Sequence, residues 1–250
     1  TEALTRILGL KAHLGLNKKA KEALVPAPEV LAGALGKEEY KEMHKAISRD
    51  CITLVKYKDR DVLPITPERY KRIMIVHVKG AESGMGMLMK AMGMGGGKNP
   101  AEMLKERLCE KGFDAFIYES PLDAMKKQIA AGEKPNINLY FAGKNAIDDF
   151  VSGMDLVITL CDVSSGRPSF GLSKGGGEIP WYVFELPVVV IGCGQPTMLA
   201  DVPQARTYIN TYDAKPATFD ALVDDLMAGP DAFKGRDPID SFCGLFDARL

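Results

Sequence analysis

The sequence predicts an α/β fold: a three-layer αβα sandwich around a mostly parallel sheet of about six strands, preceded by a helical lead-in. Short β-branched, apolar runs recur along the chain, and several are continuous rather than alternating, which is typical of strands covered on both faces. Segments with a helical apolar period lie between them. Strands that alternate with helices at this spacing imply right-handed crossovers and parallel pairing.

The first fifty residues have a helical pattern. Leu4, Ile7 and Leu8 begin a 3.6-residue apolar period, and Pro26 and Pro28 interrupt it. A further helix is expected from about residue 38 to residue 49. We therefore divide the chain into a helical lead-in, residues 1–48, and an α/β sandwich, residues 49–250.

The sandwich begins where β-branched runs replace the helical period. Strands are expected over 51–57, 72–78, 114–119, 155–162, 187–193 and, as a shorter candidate, 206–212. Intervening helices are expected over 101–112, 122–132, 146–153 and 219–229.

Composition excludes several classes of function. Hydrophobic residues make up 46% of the chain and charged residues 26%, which are globular proportions. The net charge of -1 produces no field that would attract nucleic acid or an anionic membrane. No run approaches the length of a membrane span, and the amphipathic N-terminus does not resemble a signal peptide. We expect neither a nucleic-acid nor a membrane partner.

The five cysteines and three histidines do not form a recognisable metal or disulfide pattern. The cysteines are odd in number, scattered and without a C-x-x-C pair, and each histidine stands alone. Cys161 and Cys193 end apolar runs, so we expect buried structural thiols there. His44 and His77 are expected in the core or an interface. We therefore predict no metal and no cofactor, and the thiols favour a reducing, cytoplasmic location.

Residues 80–99 form a glycine- and methionine-rich segment. A phosphate-binding loop is excluded by spacing, because Met92 stands where a Walker loop needs glycine and Asn99 replaces its Ser or Thr. An adaptable loop or short helix packed on another surface is expected, with a ligand- or partner-facing lid as the alternative.

A second glycine-rich segment, 164–187, directly follows the strand that ends at Asp162. Ligands of open α/β sheets bind outside the carboxyl ends of the strands, so this loop occupies a functional location. Asp162 itself fits either a general base or a turn residue. Trp181, the single tryptophan of the sequence, lies in the same loop and fits the core. The loop supplies the predicted site residues Arg167, Lys174, Gly175, Gly176, Gly177 and Glu178.

Several segments together resemble the C-terminal domain of a glycoside hydrolase family 3 protein. SKGGGEIPW (173–181), 187–203, 207–212 and 233–250 are similar to the end of bacterial two-domain β-N-acetylhexosaminidases, some of them β-glucosidase-like. Upstream, 48–78 resembles that family's entry into the C-terminal domain.

The N-terminal and middle parts complete this resemblance. Residues 6–16 resemble the last helix of the barrel that precedes the C-terminal domain, together with its linker. The middle of the chain, 80–155, matches in outline.

The resemblance implies that the catalytic machinery lies elsewhere. In such enzymes a TIM-like barrel comes first and carries the nucleophile. In the N-acetylglucosaminidase branch the barrel also carries the acid/base in a K-H-F-P-G-H-G type motif. Neither that motif nor the nucleophile's S-D motif occurs here. We therefore expect a domain that supports a barrel partner and shapes its carbohydrate cleft, inactive by itself.

The glucosidase branch of the family offers one catalytic candidate. There the C-terminal domain supplies an acid/base glutamate from a comparable loop, and Glu178 is the residue in that place. The surrounding GGGEIPW resembles the other branch, so we expect Arg167, Lys174 and Gly175–Gly177 to contact sugar or barrel instead. Two alternatives stay open: a free-standing sugar- or nucleotide-binding module, and a domain that donates Glu178 to a barrel in trans.

Overall fold

The computed structural model describes residues 2–20, 24–79, 98–119, 127–134, 152–162 and 186–238. The chain divides into two compact units, Thr1–His44 and Lys45–Leu250. The helices are α1 (Glu2–His13), α2 (Pro28–Ala34), α3 (Glu38–Cys51), α4 (Pro100–Glu110) and α5 (Pro216–Ala228). The strands are β1 (Thr53–Tyr57), β2 (Arg72–Lys79), β3 (Asp114–Ile117), β4 (Leu156–Asp162), β5 (Val188–Gly192) and β6 (Thr207–Asn210).

The first unit consists of helices with an unburied apolar side. α1 carries Glu2 in its first turn, paired with Arg6 at 2.6 Å, and Pro28 starts α2. Among residues 2–20 and 24–44, none is buried. Apolar side chains with more than half of their surface exposed are Leu4, Ile7, Leu8, Leu10, Leu14, Val25, Val30, Leu35, Tyr40 and Met43.

The second unit is built on one six-stranded sheet with the order β1-β6-β5-β4-β2-β3. β1 pairs with β6 antiparallel, and every other pairing is parallel. The predicted α/β class with a mostly parallel sheet is therefore confirmed. β4 lies near the centre, and its residues are buried as far as Cys161, as expected for a strand covered on both faces.

Helices cover one face of this sheet. Leu104 of α4 and Phe219 and Leu222 of α5 are fully buried against Ile158 and its neighbours on that face. On the opposite face, a 3₁₀ helix (Pro196–Asp201) buries Met198 and Leu199 against residues of β4, β5 and β6. The predicted helices 122–132 and 146–153 lie largely outside the described residues, although 127–130 are helical.

Element boundaries differ from the expected ones at both ends of the sheet unit. The strand expected from residue 51 begins at Thr53, because α3 continues to Cys51, whose thiol donates to the carbonyl of Ser48 at 3.3 Å. The helix expected from 219 begins at Pro216, since proline fits the first helical position. Within the described ranges, no helix combines the length and apolar character that a membrane crossing requires.

Candidate functional site at the carboxyl edge of the sheet

The strand order of the sheet reverses between β2 and β4. β2 pairs with β3 on one side and with β4 on the other. The chain therefore adds β3 on one side of β2, and then β4, β5 and β6 in turn on the opposite side. The carboxyl ends of β2 and β4 are in register, with Lys79 opposite Asp162. In open α/β sheets, ligands bind in the crevice outside the strand ends at such a point. This edge is therefore the candidate functional site.

His77 and Asp162 meet at this point of the sheet. Nε2 of His77 lies 3.9 Å from Oδ2 of Asp162, and the two side chains are 6% and 31% exposed. Nε2 is buried without a hydrogen-bond partner among the described residues. An unpartnered buried polar atom costs free energy, so its position at a strand end requires an explanation.

The opposite face of the same edge holds two more buried oxygens. Gly192 ends β5 opposite Asn210, and neither the Tyr208 hydroxyl nor Oδ1 of Asn210 has a hydrogen-bond partner in the ranges that the structure describes. A Cβ atom on Gly192 would overlap the Tyr208 hydroxyl and lie 2.8 Å from Oδ1 of Asn210. Glycine is therefore required at the end of β5.

The two cysteines near this edge are buried, protonated thiols and therefore poor nucleophiles. Cys161 and Cys193 are 0% and 5% exposed. Burial raises the pKa of Cys161 far above its ordinary value. Burial also raises the pKa of Cys193 to about 12, helped by the charges of Asp162 and Asp213 and opposed by a hydrogen bond with Thr211. A thiol that stays protonated at neutral pH is a poor nucleophile. The prediction that both are buried free thiols is confirmed.

The loop after β6 is held firmly at the same edge. The hydroxyl of Thr211 donates to the carbonyl of Asp213 at 2.8 Å, and the hydroxyl of Thr218 donates to Oδ1 of Asp213. Lys215 places Nζ 3.3 Å from Oδ2 of Asp213. These contacts anchor the start of α5 beside the strand ends.

The predicted loop residues Arg167, Lys174, Gly175–Gly177 and Glu178 lie outside the described residues, as does Trp181. The structure describes the strand end that precedes their segment, Asp162, and the strand that follows it, β5. Residues 80–97 of the methionine-rich segment also lie outside the described part.

The structure brings together side chains that sequence reasoning treated separately. His77 was expected in the core, and its side chain is indeed buried, but it also faces Asp162. Tyr208 and Asn210 were not singled out. For His77, Asp162 and Asn210 the available signal was their position at or near the carboxyl end of a predicted strand, whereas Tyr208 is the second residue of β6 and offered no such signal.

Comparison with known proteins places this fold among glycosidase-related proteins. No family model matches the chain. A curated relative from Cellulomonas fimi, a β-N-acetylglucosaminidase/β-glucosidase, is 31% identical over 253 residues and is matched by 100% of this chain. The chain covers 40% of that relative.

Solved structures give the same result. The β-glucoside phosphorylase BglX superposes with a TM-score of 0.70 at 27% identity, covering 99% of this chain and 39% of that protein. A glycoside hydrolase family 3 β-N-acetylglucosaminidase from Paenibacillus sp. str. FPU-7 superposes at 0.53 with 14% identity, covering 94% and 38%, and shares the fold. The resemblance is thereby confirmed: over its whole length this chain is related to part of a glycoside hydrolase family 3 protein, consistent with a C-terminal domain.

Proposed function

We propose that this chain is the non-catalytic C-terminal domain of a protein that cleaves β-glycosides, and that it packs against a catalytic barrel and shapes its sugar cleft. The chain spans about two fifths of the relatives it matches, which leaves room for a second domain. The relatives act on β-N-acetylglucosaminides or β-glucosides by name, which supports carbohydrate as the ligand class.

The observation that carries this proposal is the apolar surface of the first unit. Leu4, Ile7 and Leu8 lie on adjacent turns of α1, each more than half exposed. Contiguous exposed apolar surface of this kind marks an interaction site in soluble proteins. A barrel domain joined through the helical lead-in is the partner that the resemblance implies.

Polar groups at the carboxyl edge of the sheet support the proposal that this domain shapes the sugar cleft. His77, Tyr208 and Asn210 each hold a buried polar atom that has no hydrogen-bond partner within the described part of the chain. Each such atom requires an explanation, and contact with a ligand or a neighbouring domain would supply one. Arg167, Lys174, Gly175, Gly176 and Gly177 remain proposed sugar or barrel contacts, since their segment follows Asp162 at this edge. Glu178 remains the proposed acid/base of the alternative function.

If α1 packs against a barrel, substitution of Ile7 and Leu8 affects the melting temperature of the full-length polypeptide more than that of the isolated chain. In the full-length polypeptide, Ile7→Ser with Leu8→Ser lowers the melting temperature by several degrees, because two apolar side chains lose burial worth about 1.5–3 kcal/mol each. In the isolated 250-residue chain the same pair shifts it by about 1 °C or less, since both side chains are already exposed. Thermal unfolding followed by circular dichroism measures both.

Arg6→Gln, on the opposite side of α1, is the matched control and changes neither melting temperature by more than about 1 °C, because Arg6 is 79% exposed and its pair with Glu2 is a surface ion pair. Equal shifts of the paired variant in the two contexts would contradict the docking role. Aryl β-glucoside and aryl β-N-acetylglucosaminide assays of the full-length polypeptide, with and without phosphate, identify the sugar and the acceptor. Turnover by the isolated chain would overturn the non-catalytic assignment.

A further inference from the structure

The pair formed by His77 and Asp162 combines a fixed interior group with an accessible carboxylate. β2 and β4 hold both residues by parallel pairing, so the backbone positions are rigid. The imidazole is buried, whereas Asp162 retains 31% of its side-chain surface. The carboxylate is the member of the pair that a ligand can reach.

The geometry gives the two carboxylate oxygens of Asp162 different surroundings. Oδ2 is the oxygen that faces Nε2 of His77, at 3.9 Å. This separation is too long for a hydrogen bond but short enough for electrostatic attraction to a ring N–H. The imidazole therefore favours one rotation of the Asp162 carboxylate, whose side chain keeps 31% of its surface exposed.

The chemistry of a carboxylate decides which ligand group fits at Asp162. Asp162 ends β4, and Asp213 nearby is paired with Lys215, so this edge holds charges of both signs. A carboxylate accepts hydrogen bonds from hydroxyl groups. Neutral polyols offer hydroxyl donors without charge, and a few rigidly held polar groups are what give such sites specificity.

We propose that Asp162 binds a hydroxyl group of the carbohydrate at this edge, and that His77 is a positioning residue that orients the Asp162 carboxylate. This inference rests on the proposed function, because it assigns the ligand contact to that same cleft. It adds a specificity-determining carboxylate at the end of β4.

The test uses the full-length polypeptide and an aryl β-glycoside that it cleaves. Asp162→Asn raises KM about 10- to 100-fold with a smaller change in kcat, because a hydrogen bond to a charged group made before the reaction is lost. His77→Phe raises KM about 3- to 10-fold in the same direction. His77→Gln, which retains a side-chain N–H, restores most of the affinity.

The double variant His77→Phe/Asp162→Asn distinguishes positioning from structural support. If His77 acts through Asp162, the double variant has the KM of Asp162→Asn alone. Multiplying effects would overturn the positioning role, and an unchanged KM in Asp162→Asn would overturn the ligand contact. Asp162→Ser is the second variant should Asp162→Asn lose its cooperative thermal transition.

Asp155→Asn is the matched control at the other end of the same strand. Asp155 is exposed and its Oδ2 accepts from the backbone N–H of Arg72 at 2.8 Å, so its substitution leaves KM unchanged. A wild-type polypeptide that cleaves no β-glycoside would defeat the proposed function. An active wild type whose Asp162 variants keep their KM would defeat this inference alone.

Discussion

At the scale of single residues, Gly192 shows how closely the sheet edge is packed. The Tyr208 hydroxyl occupies the space where a side chain at residue 192 would begin, and Asn210 lies on its other side. Both oxygens are buried and have no hydrogen-bond partner among the residues that the structure describes. The preference for glycine at residue 192 is steric and does not come from the backbone conformation, because Gly192 is not among the glycines with positive φ.

Gly192→Ala is therefore expected to lower the free energy of unfolding by about 1–3 kcal/mol, because the added methyl group must displace the tyrosine. Urea unfolding of the 250-residue chain measures this. Gly33→Ala is the control, since a Cβ there meets nothing within 4 Å. Gly192→Ala/Tyr208→Phe recovers most of the loss, because Tyr208→Phe deletes the obstructing hydroxyl. No recovery would contradict the steric explanation.

At the scale of elements, α5 buries a carboxylate on its inner side. The side chain of Asp225 is 3% exposed, and its Oδ1 lies 3.9 Å from Nε of Arg49. Its Oδ2 has no hydrogen-bond partner in the described ranges of the chain. Burial raises the pKa of Asp225 from 3.8 to about 6, and the Asp224 charge adds to this, while Arg49 and Lys234 oppose it. The packing of α5 thus depends on whether this acid is protonated.

The sign of the pH effect follows from the raised pKa. Below pH 4, Asp225 is protonated in both the folded and the unfolded chain, so it does not lower the free energy of unfolding. Between about pH 4 and pH 6 it ionises first in the unfolded chain, so the free energy of unfolding falls as the pH rises. Asp225→Asn removes this loss. The stability of the variant relative to wild type is expected to rise by roughly 2–3 kcal/mol from pH 4 to pH 7.

Urea unfolding at pH 4, 5, 6 and 7 measures the effect of Asp225→Asn. Asp231→Asn, an exposed acid just beyond α5, is the control and leaves the difference between pH 4 and pH 7 as in wild type. A variant curve parallel to that of wild type would show that Asp225 ionises at its ordinary pKa.

At the scale of the whole molecule, the two units differ in what they bury. The sheet unit holds the hydrophobic clusters, whereas the described residues of the first unit contribute none to any core. A helix with no buried face gains little from tertiary packing, which is the usual source of helical stability in proteins.

Deletion of residues 1–37, which removes α1 and α2 and leaves α3 whole, is therefore expected to change the melting temperature of the sheet unit by about 2 °C or less, because no core residue is removed. Circular dichroism at increasing temperature measures it. Ile52→Ala is the positive control, since truncation of this fully buried side chain is expected to lower the free energy of unfolding by about 2–5 kcal/mol. A large destabilisation by the deletion would mean that the first unit stabilises the sheet.

Local sequence patterns were sufficient for the fold class. Continuous apolar runs at β2, β4 and β5 and a 3.6-residue period at α4 and α5 are properties of neighbouring residues, so they predict α/β structure before any contact is known. The family resemblance likewise depends on strings of adjacent residues, and the 31% identical relative confirms it. Helix and strand ends moved by a few residues, because capping and pairing decide them.

Contacts between distant residues required the tertiary structure. β1 pairs antiparallel with β6, which lies more than a hundred residues away along the chain. No local sequence pattern indicates that partner or its direction. His77 meets Asp162, and Tyr208 fills the space above Gly192, only because parallel strands place their carboxyl ends at one edge. The sequence determined by itself which segments are apolar and which family they resemble. The tertiary structure decided which polar atoms are buried together and which apolar side chains of the described helices stay exposed, since both depend on what the folded chain places beside them.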